Sequence, residues 1–517
     1  MDLDPSIGQL FMVDFTGHTP APDVIQLIER DGIGGVILFA KNIASARQVA
    51  TLTNALQEIA SQAGRPPLLV SADQEGGSVV RLPQEATHFP SAMAFGAAAS
   101  EALAASAAGV TARELRAVGI QMNMAPDLDV NSNPANPVIG VRSFGEDPRR
   151  TARLGIAVIR AMQASGVLAT AKHFPGHGDT STDSHLELPV VSHPRAHLDR
   201  IELPPFAAAV RVGVGAVMTA HIVYPALDPE RPATLSPTIL RMLREQLGFA
   251  GLIVTDSMAM RAITDREAPG EAAVQAILAG VDIVLACGPA EAQREAIDAV
   301  RHAVAAGRIS APRIEQAAAR VAAAKCRLTL TENARVRLDD LDATVGIPAH
   351  RDVAEHVAEA AVTLVRSGRS AIPLPPGPVA VVSLAGASPG TDERVAAALR
   401  DAGRDAAAIP ADCAGAMRGG PLVVVVGPDI AAGAGGDPAS IVRQALVAGP
   451  VAAVSIGVPY GLARLPRDVG CIAAYGCDPP SLRAAARVLA GRLQARGRLP
   501  VTLPEPHEAG PEAIGEA

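Results

Sequence analysis

One loop of the sequence concentrates side chains that can exchange protons. The segment KHFPGHGDTSTDSHLELP, residues 172–189, holds three histidines, two aspartates, a glutamate and a lysine. Five of the twelve histidines of the chain lie between His173 and His197, and Lys172 is one of only three lysines. In Asp183-Ser184-His185, a carboxylate two residues from an imidazole can accept the ring N–H and raise the basicity of the other nitrogen. Because the unperturbed pKa of histidine is about 6.5, such a pair can give and take a proton at neutral pH.

The same loop also contains a spacing that is typical of metal sites. His173 and His177 are four residues apart, as in a helical pair of zinc ligands. Pro175, Gly176 and Gly178 interrupt any helix here, so the two imidazoles need not share a face. We therefore predict no metal and no cofactor. For Asp183 and His185 the structural alternative is an Asx-type turn beside a surface histidine.

The elements that position this loop are predicted from apolar periodicity. Eight short apolar runs recur through roughly the first 290 residues, with segments of helical periodicity between most of them, such as residues 23–30, 46–60 and 271–280. The runs are LFMVDF, IGGVILF, PPLLVSA, GIQMNMA, GVLATA, GAVMTA, GLIVTD and VDIVLA. This alternation predicts a parallel sheet covered by helices, and eight repeats predict a (β/α)8 TIM-type barrel. An open doubly wound sheet is the main alternative, but no GxGxxG motif follows the first run.

Polar residues follow five of these runs directly. The carboxyl ends of barrel strands meet at one open face, so such residues are expected to converge on one pocket. For any single one of them, a helix cap or a turn residue is the structural alternative. The strand-end residues are Asp73-Gln74-Glu75, Asp127, Lys172-His173, His221 and Asp256.

A second alternating series begins near residue 350. Its apolar runs are AAVTLVRSG, GPVAVVSL, GPLVVVVGP, GPVAAVSIGVP and VGCIAAYG, with predicted helices over residues 392–403 and 479–497. The pattern predicts a smaller α/β sandwich. We predict a catalytic barrel over residues 1–335, a linker over 336–350 and the C-terminal sandwich domain over 351–517.

Composition excludes several classes of partner. A formal charge of −8 and a pI of about 5.9 give no basic surface for nucleic acid. Apolar runs fall short of the roughly 18 residues that a membrane span needs. The N-terminal residues lack the pattern of a signal peptide, and the cysteines form no CxxC pair, so we expect a cytoplasmic protein with free thiols. These cysteines are Cys287, Cys326, Cys413, Cys471 and Cys477.

Several motifs together resemble a known family. KHFPGHG-x4-DSH, GLIVTDSMAM, ADQEGG, NMAPDLDV and VRSFGEDP are similar to those of glycoside hydrolase family 3, in its bacterial β-N-acetylglucosaminidase branch. The resemblance implies that Asp256 is the catalytic nucleophile, that His185 is the acid/base and that Asp183 is paired with His185. It also implies a set of residues that bind the sugar: Asp73, Arg81, Arg142, Lys172 and His173.

The resemblance implies a carbohydrate substrate and an exo-acting, retaining hydrolase that removes terminal β-linked N-acetylglucosamine from cell-wall fragments or chito-oligosaccharides. Retention would proceed through a covalent glycosyl-enzyme intermediate. Two alternatives stay open: a phosphorylase that uses phosphate as the acceptor, and an inactive sugar-binding protein. The chain is expected to be a monomer or a homodimer.

Overall fold

The computed structural model describes residues 4–184, 186–368, 371–384, 387–411, 413, 420–427 and 438–504. The chain divides into two compact units, each with its own sheet. The first unit comprises Met1–Gly96 and Ser100–Ala354, and the second comprises Ala97–Ala99 and Glu355–Ala517.

The first unit is the predicted eight-stranded parallel barrel. Neighbouring strands pair in the order β10-β1-β2-β3-β4-β5-β6-β9, and a parallel bridge between Val254 and Ile283 joins the two outermost strands. Each of the eight predicted apolar runs therefore supplies one barrel strand. The strands are β1 (Phe11–Val13), β2 (Gly35–Leu38), β3 (Leu69–Ala72), β4 (Met122–Asn123), β5 (Leu168–Phe174), β6 (Ala216–Thr219), β9 (Leu252–Thr255) and β10 (Val284–Ala286).

Apolar side chains fill the interior of the barrel. Met12, Met122, Met124 and Met218 pack there with Leu, Ile and Ala side chains from the other strands, all nearly inaccessible to solvent. Methionine is flexible enough to fill irregular gaps, which suits a barrel with few aromatic residues. The interior is thus a packed core, so chemistry is confined to the ends of the strands.

Helices alternate with the barrel strands as predicted. Pro22–Gln26 continues directly into a π-helical turn, Leu27–Asp31, and Pro237–Arg241 likewise into Met242–Gln246. The α-helices of this part of the chain are α1 (Asp4–Gly8), α2 (Pro22–Gln26), α3 (Ala46–Gln62), α4 (Ala92–Ala98), α5 (Glu101–Ala117), α6 (Pro148–Ala164), α7 (Arg195–Arg200), α8 (Leu203–Arg211), α9 (Pro237–Arg241), α10 (Arg261–Thr264), α11 (Pro269–Ala279), α12 (Ala290–Ala305), α13 (Ala311–Arg327) and α14 (Pro348–Ala361).

One antiparallel hairpin was not predicted in the barrel unit. β7 (Val223–Tyr224) pairs with β8 (Asp228–Pro232) directly after β6. β8 consists of three charged residues and two prolines, so this strand lacks the apolar run by which the barrel strands were recognised. Val190 forms a parallel bridge with Val223, which links the end of the histidine-rich loop to the hairpin.

The second unit contains a six-stranded sheet in the order β11-β16-β15-β14-β12-β13. Only the pairing of β11 with β16 is antiparallel. Five of the strands were predicted, and the short edge strand Ala406–Ala408 was missed. The strands are β11 (Thr363–Arg366), β12 (Val379–Ser383), β13 (Ala406–Ala408), β14 (Leu422–Val426), β15 (Val451–Ser455) and β16 (Gly470–Ala473), with helices α15 (Thr391–Asp401), α16 (Pro438–Ala448) and α17 (Pro479–Leu489).

The last of these helices is shorter than predicted. The sequence pattern suggested a helix through residue 497, but α17 ends at Leu489. Gly491 adopts a φ of 72°, a left-handed conformation that stops a helix. Among the described residues, no helix is both long and apolar enough to cross a membrane.

Candidate active site

A cavity of about 490 Å³ lies at the carboxyl ends of the barrel strands. The structure brings six of the eight predicted site residues to its wall: Asp73, Arg81, Arg142, Lys172, His173 and Asp256. Within the described residues Asp183 is half-buried and does not line the cavity, although its neighbour Ser184 does. The prediction for His185 falls outside the described residues.

Lys172 is fixed at the cavity wall by two carboxylates. It lies near the end of β5, and its Nζ is 2.9 Å from Oδ1 of Asp73 and 2.7 Å from Oε1 of Glu75. Burial lowers the pKa of this lysine, but the two carboxylates outweigh burial and hold the pKa above its usual value. Two of its three N–H bonds are committed, which leaves one to donate to a ligand.

Glu75 also holds the guanidinium of Arg142. Nε and Nη2 of Arg142 each donate to a different carboxylate oxygen of Glu75, both at 2.9 Å. Burial raises the pKa of Glu75, but Arg142 and Lys172 outweigh burial and leave the pKa far below its usual range. One buried anion therefore positions two cations of the cavity wall, in the bidentate geometry that suits arginine.

Asp129 holds His173 and His177 in place, as Glu75 holds Lys172 and Arg142. Its Oδ2 accepts a hydrogen bond from Nδ1 of His173 at 2.7 Å, and its Oδ1 accepts the backbone N–H groups of His173 and His177 at 3.1 and 2.7 Å. Burial raises the pKa of Asp129, but the two histidines outweigh burial and lower it to about 2. Since Nδ1 of His173 is engaged in this way, Nε2 is the ring atom left for a ligand in the cavity.

Asp256 follows β9 and is held as a carboxylate. Its Oδ1 accepts the backbone N–H of Ser257 at 2.7 Å. Burial raises its pKa, but His173, His221, that N–H and Lys172 outweigh burial, so the pKa lies below its usual value. His221 supports the same turn, because its Nε2 lies 3.0 Å from the carbonyl oxygen of Ser257. An ionised carboxylate at a cavity wall is suited to attack an electrophilic carbon.

Arg81 contributes a further cation to the wall. Its backbone N–H and that of Leu82 both donate to Oε1 of Gln74, at 2.7 and 2.9 Å, which fixes the chain on that side of the cavity. Its guanidinium carbon lies 5.8 Å from the centre of the Phe39 ring. This cation–π contact places the guanidinium beside Phe39, which also lines the cavity.

Asp127, Asp129 and His173 are the group of described residues whose donor atoms lie close enough together to hold a metal ion, within 4.8 Å of one another. The closest of these atoms already pair within the protein, since Asp129 bonds His173 and Oδ1 of Asp127 accepts the backbone N–H of Asp129. Burial and the charge of Asp129 also raise the pKa of Asp127, which favours a neutral carboxyl group. The protein thus engages most of these donor atoms itself, with Oδ2 of Asp127 lying 3.6 Å from Arg142, and a metal-free site stays our prediction.

The structure gives central roles to two residues that the sequence did not assign to the site: Glu75, expected at the pocket only as a strand-end residue, and Asp129, which was not predicted there. Glu75 and Asp129 have the largest sets of contacts, and each lies two residues beyond an acidic residue that follows a strand, Asp73 and Asp127. In extended chain, residues two apart point to the same side, so this i, i+2 spacing was an available signal. The spacing of His177 from His173 indicated a metal pair or a turn residue, and no sequence pattern indicated its contact with Ser184.

Comparison with known proteins identifies the family. Residues 2–324 match the family described as glycosyl hydrolase family 3 N-terminal domain. The chain is 38% identical over 401 residues to beta-hexosaminidase A of Pseudoalteromonas piscicida, covering 70% of this chain and 67% of that protein. It is 35% identical over 297 residues to a beta-hexosaminidase of Xylella fastidiosa, covering 56% of this chain and 87% of the relative.

A solved structure matches both units of the chain. The glycoside hydrolase family 3 beta-N-acetylglucosaminidase from Paenibacillus sp. str. FPU-7 superposes with a TM-score of 0.88 at 38% sequence identity, and the match covers 97% of this chain and 99% of that one. The matched family accounts for the barrel with its carboxylate-lined cavity, and the solved structure accounts for the second sheet as well. The chain therefore belongs to glycoside hydrolase family 3.

Proposed function

We propose that the protein is a retaining exo-β-N-acetylglucosaminidase that removes terminal β-linked N-acetylglucosamine. The observation that carries this proposal is Asp256, a carboxylate held ionised at the wall of a cavity that also presents Lys172 and His173. Similarity over nearly the whole chain to a beta-N-acetylglucosaminidase of the same family supports the choice of substrate. A volume of about 490 Å³ lies within the range of ligand pockets, roughly 300–1,000 Å³.

The first step forms a covalent intermediate. A carboxylate oxygen of Asp256 attacks the anomeric carbon, and the bond from that carbon to the leaving oxygen breaks. The leaving oxygen takes a proton from the imidazolium of His185, whose positive charge Asp183 stabilises. Lys172, Asp73 and Arg142 bind hydroxyl groups of the sugar and keep the anomeric carbon facing Asp256.

The second step releases the sugar. The neutral imidazole of His185 takes a proton from a water molecule, whose oxygen attacks the anomeric carbon from the face that the leaving group occupied. The ester bond to Asp256 breaks and the carboxylate is restored. Two inversions at one carbon give net retention, so the product forms as the β-anomer.

The experiment that tests this function uses an aryl β-N-acetylglucosaminide with and without inorganic phosphate. We expect β-N-acetylglucosamine as the first sugar seen by NMR, at a rate that phosphate does not change. N-Acetylglucosamine 1-phosphate as the product would show a phosphorylase instead. Sugar binding without turnover would show an inactive sugar-binding protein, and the α-anomer as first product would contradict the double displacement.

We further propose that the natural substrates are cell-wall fragments or chito-oligosaccharides and that the protein works in the cytoplasm. The reduced thiols of Cys287, Cys326, Cys471 and Cys477 support a reducing compartment.

Turnover of muropeptides and of chitobiose by the purified protein, compared at equal concentration, would show which class of substrate it uses. Light scattering of the same sample would distinguish the monomer from the homodimer that we propose as the alternatives.

A further inference from the structure

His177 takes no direct part in the proposed reaction, yet both nitrogens of its ring are bonded inside the protein. The side chain is buried, with Nδ1 at 2.9 Å from Oγ1 of Thr180 and Nε2 at 3.1 Å from Oγ of Ser184. Ser184 is itself buried and lines the cavity. In the sequence Ser184 lies between Asp183 and His185, the pair assigned to proton transfer.

The hydrogen bonds around the ring define its tautomer. The hydroxyl of Thr180 donates to the backbone carbonyl of His177 at 3.1 Å, so its oxygen accepts from Nδ1–H of the ring. Burial, followed by the nearby His173, lowers the pKa of His177 to about 4, so the ring is neutral at working pH. A neutral ring with a proton on Nδ1 carries a lone pair on Nε2, which accepts the hydroxyl proton of Ser184.

The ring is attached to a rigid part of the barrel. The backbone N–H of His177 donates to Asp129 at 2.7 Å, and Nδ2 of Asn136 donates to the carbonyl of His177 at 2.8 Å. Gly178 packs so closely on Val130 that an added Cβ would lie 1.7 Å from the carbonyl oxygen of that residue. The base of the loop is therefore immobilised, and the bond from Nε2 to Ser184 connects that base to the far side of the loop.

We propose that His177 is a positioning residue, whose Nε2 accepts a hydrogen bond from Ser184 and so supports proton transfer by the two residues that flank Ser184 in the sequence. The inference rests on the proposed function, because it assigns the proton to that pair. It differs from a role in stability alone, since loss of the bond to Ser184 is expected to impair proton transfer more than attack by Asp256, which lies on another strand end. The predicted defect is therefore confined to reactions that need a proton on the leaving oxygen.

The test compares Ser184→Ala and His177→Phe with the unaltered enzyme on two substrates, the dinitrophenyl and the phenyl β-N-acetylglucosaminides. Dinitrophenolate leaves without protonation, whereas phenolate needs it. Loss of general acid catalysis lowers the rate by a factor on the order of 10² to 10⁴. Loss of the bond between His177 and Ser184 is therefore expected to lower kcat/KM for the phenyl glycoside roughly 10- to 100-fold. The kcat/KM for the dinitrophenyl glycoside is expected to fall less than about 3-fold. His185→Ala provides the benchmark, with the same selectivity and a larger loss.

Two further variants separate positioning from general damage. Ser181→Ala makes the same change at an exposed serine of the loop and is expected to leave both rates unchanged. His177→Gln keeps an acceptor oxygen close to the place of Nε2 and is expected to recover part of the phenyl glycoside rate that His177→Phe loses.

Each outcome decides the inference. Selective loss on the phenyl glycoside with partial recovery in His177→Gln supports positioning by His177. Equal losses on both substrates, or unchanged rates in Ser184→Ala, overturn it while the proposed function stands. If the unaltered enzyme turns over neither glycoside, the proposed function fails first. If both variants lose the thermal transition of the unaltered enzyme, a merely structural role replaces the inference.

Discussion

Glu75 is the residue on which the cation-rich wall of the cavity depends. It accepts from Lys172 and twice from Arg142, and all three side chains are buried or nearly so. Removing one partner of a buried ion pair leaves an uncompensated charge, which costs about 3–5 kcal/mol. We therefore expect loss of the carboxylate to lower stability and, if the proposed function holds, to weaken sugar binding.

Glu75→Gln is therefore expected to raise KM strongly and to lower the free energy of unfolding by about 3–5 kcal/mol. Kinetics on an aryl glycoside and thermal unfolding provide the two measurements. Glu58→Gln is the matched control, because Glu58 pairs with Arg335 at the surface and its loss should cost less than about 1 kcal/mol. A Glu75→Gln enzyme with unchanged KM would show that Glu75 does not position these cations.

The pH dependence of the Glu75 contribution follows from its depressed pKa. A carboxylate whose pKa is lower in the folded than in the unfolded protein contributes its full stabilisation of the fold above its unfolded pKa, here about 4.5. This contribution is lost as the pH falls below that value toward the folded pKa. The acid unfolding of Glu75→Gln should accordingly be less steep below about pH 4.5 than that of the unaltered protein. Equal slopes in acid titrations followed by circular dichroism would contradict this.

Asp256→Ala is expected to abolish turnover. A missing covalent nucleophile typically costs on the order of 10⁵ to 10⁶ in kcat, and the alanine leaves the cavity and its cations in place. Sugar affinity, measured by calorimetry with N-acetylglucosamine, should therefore change much less than the rate. Asp199→Ala, at an exposed aspartate of α7, is the control that should keep full activity.

At the scale of single residues, the sequence predicted which residues lie at the site but not which of them contact one another. Asp73, Lys172, His173 and Asp256 were predicted because each follows or ends an apolar run, and the structure places all four at one cavity. Glu75 was expected at the pocket only as a strand-end residue, and Asp129 was not predicted there, because the importance of both lies in contacts with residues far along the chain. Such contacts depend on how the strands are arranged around the barrel, which no local spacing encodes.

The segment after β5 is the element on which the site geometry depends most. The strand runs through Lys172 and His173 to Phe174, and the chain then turns at Gly176, whose φ is 142°. Gly178 lies against the backbone of the segment that follows β4. Backbone of this kind cannot move aside as a flexible side chain can, so the two loops can be this close only with glycine.

Gly178→Ala is accordingly expected to displace the loop and to lower both activity and stability, the latter by roughly 1–3 kcal/mol as in overpacked cores. Gly109→Ala is the matched control within α5, because its added Cβ would meet its nearest neighbour only at 3.4 Å. Alanine in place of a helical glycine should raise stability by about 0.5–1 kcal/mol. Thermal unfolding of the two variants should thus shift in opposite directions, and a shared direction would be evidence against the backbone clash.

Elements with continuous apolar runs were predictable, and those without were not. All eight barrel strands were recognised because a parallel strand is buried on both faces and therefore lies in a near-continuous apolar run. β8 is rich in charged and proline residues, and β13 consists of three alanines, which are depleted in strands, so neither has the β-branched apolar run of the other strands. The end of α17 was overestimated because apolar periodicity continues beyond Leu489, whereas the left-handed Gly491 ends the helix.

At the scale of the whole molecule, the buried amine of Lys325 opposes folding. Lys325 lies on α13, its Nζ donates to Oε1 of Gln9 at 2.7 Å, and burial lowers its pKa to about 7. Because the unfolded chain retains a pKa near 10.5, the unfolded state binds more protons between about pH 7 and 10.5. The penalty, on the order of 4–5 kcal/mol, is complete below about pH 7 and disappears as pH rises toward 10.5.

Lys325→Met should therefore raise stability at pH 7 and flatten its increase between about pH 7 and 10.5. Scanning calorimetry across that range measures both effects. Part of the gain will be offset by Gln9, which loses its donor at a cost of about 1–3 kcal/mol. Arg327→Met, at an exposed position of the same helix, is the control and should leave the pH dependence of stability unchanged. If Lys325→Met also leaves that pH dependence unchanged, the amine of Lys325 does not titrate as described.

The scarcity of lysine has a practical consequence for chemical labelling. Lys172 and Lys325 are only 2% and 3% exposed, whereas the side chain of Lys41 is 41% exposed and pairs with Asp14. Amine-reactive dyes, cross-linkers and activated surfaces should thus react with Lys41 almost alone, besides any N-terminal amine. Lys41 lies two residues from Phe39 in the cavity wall, so a fluorophore attached there would report sugar binding without a designed cysteine.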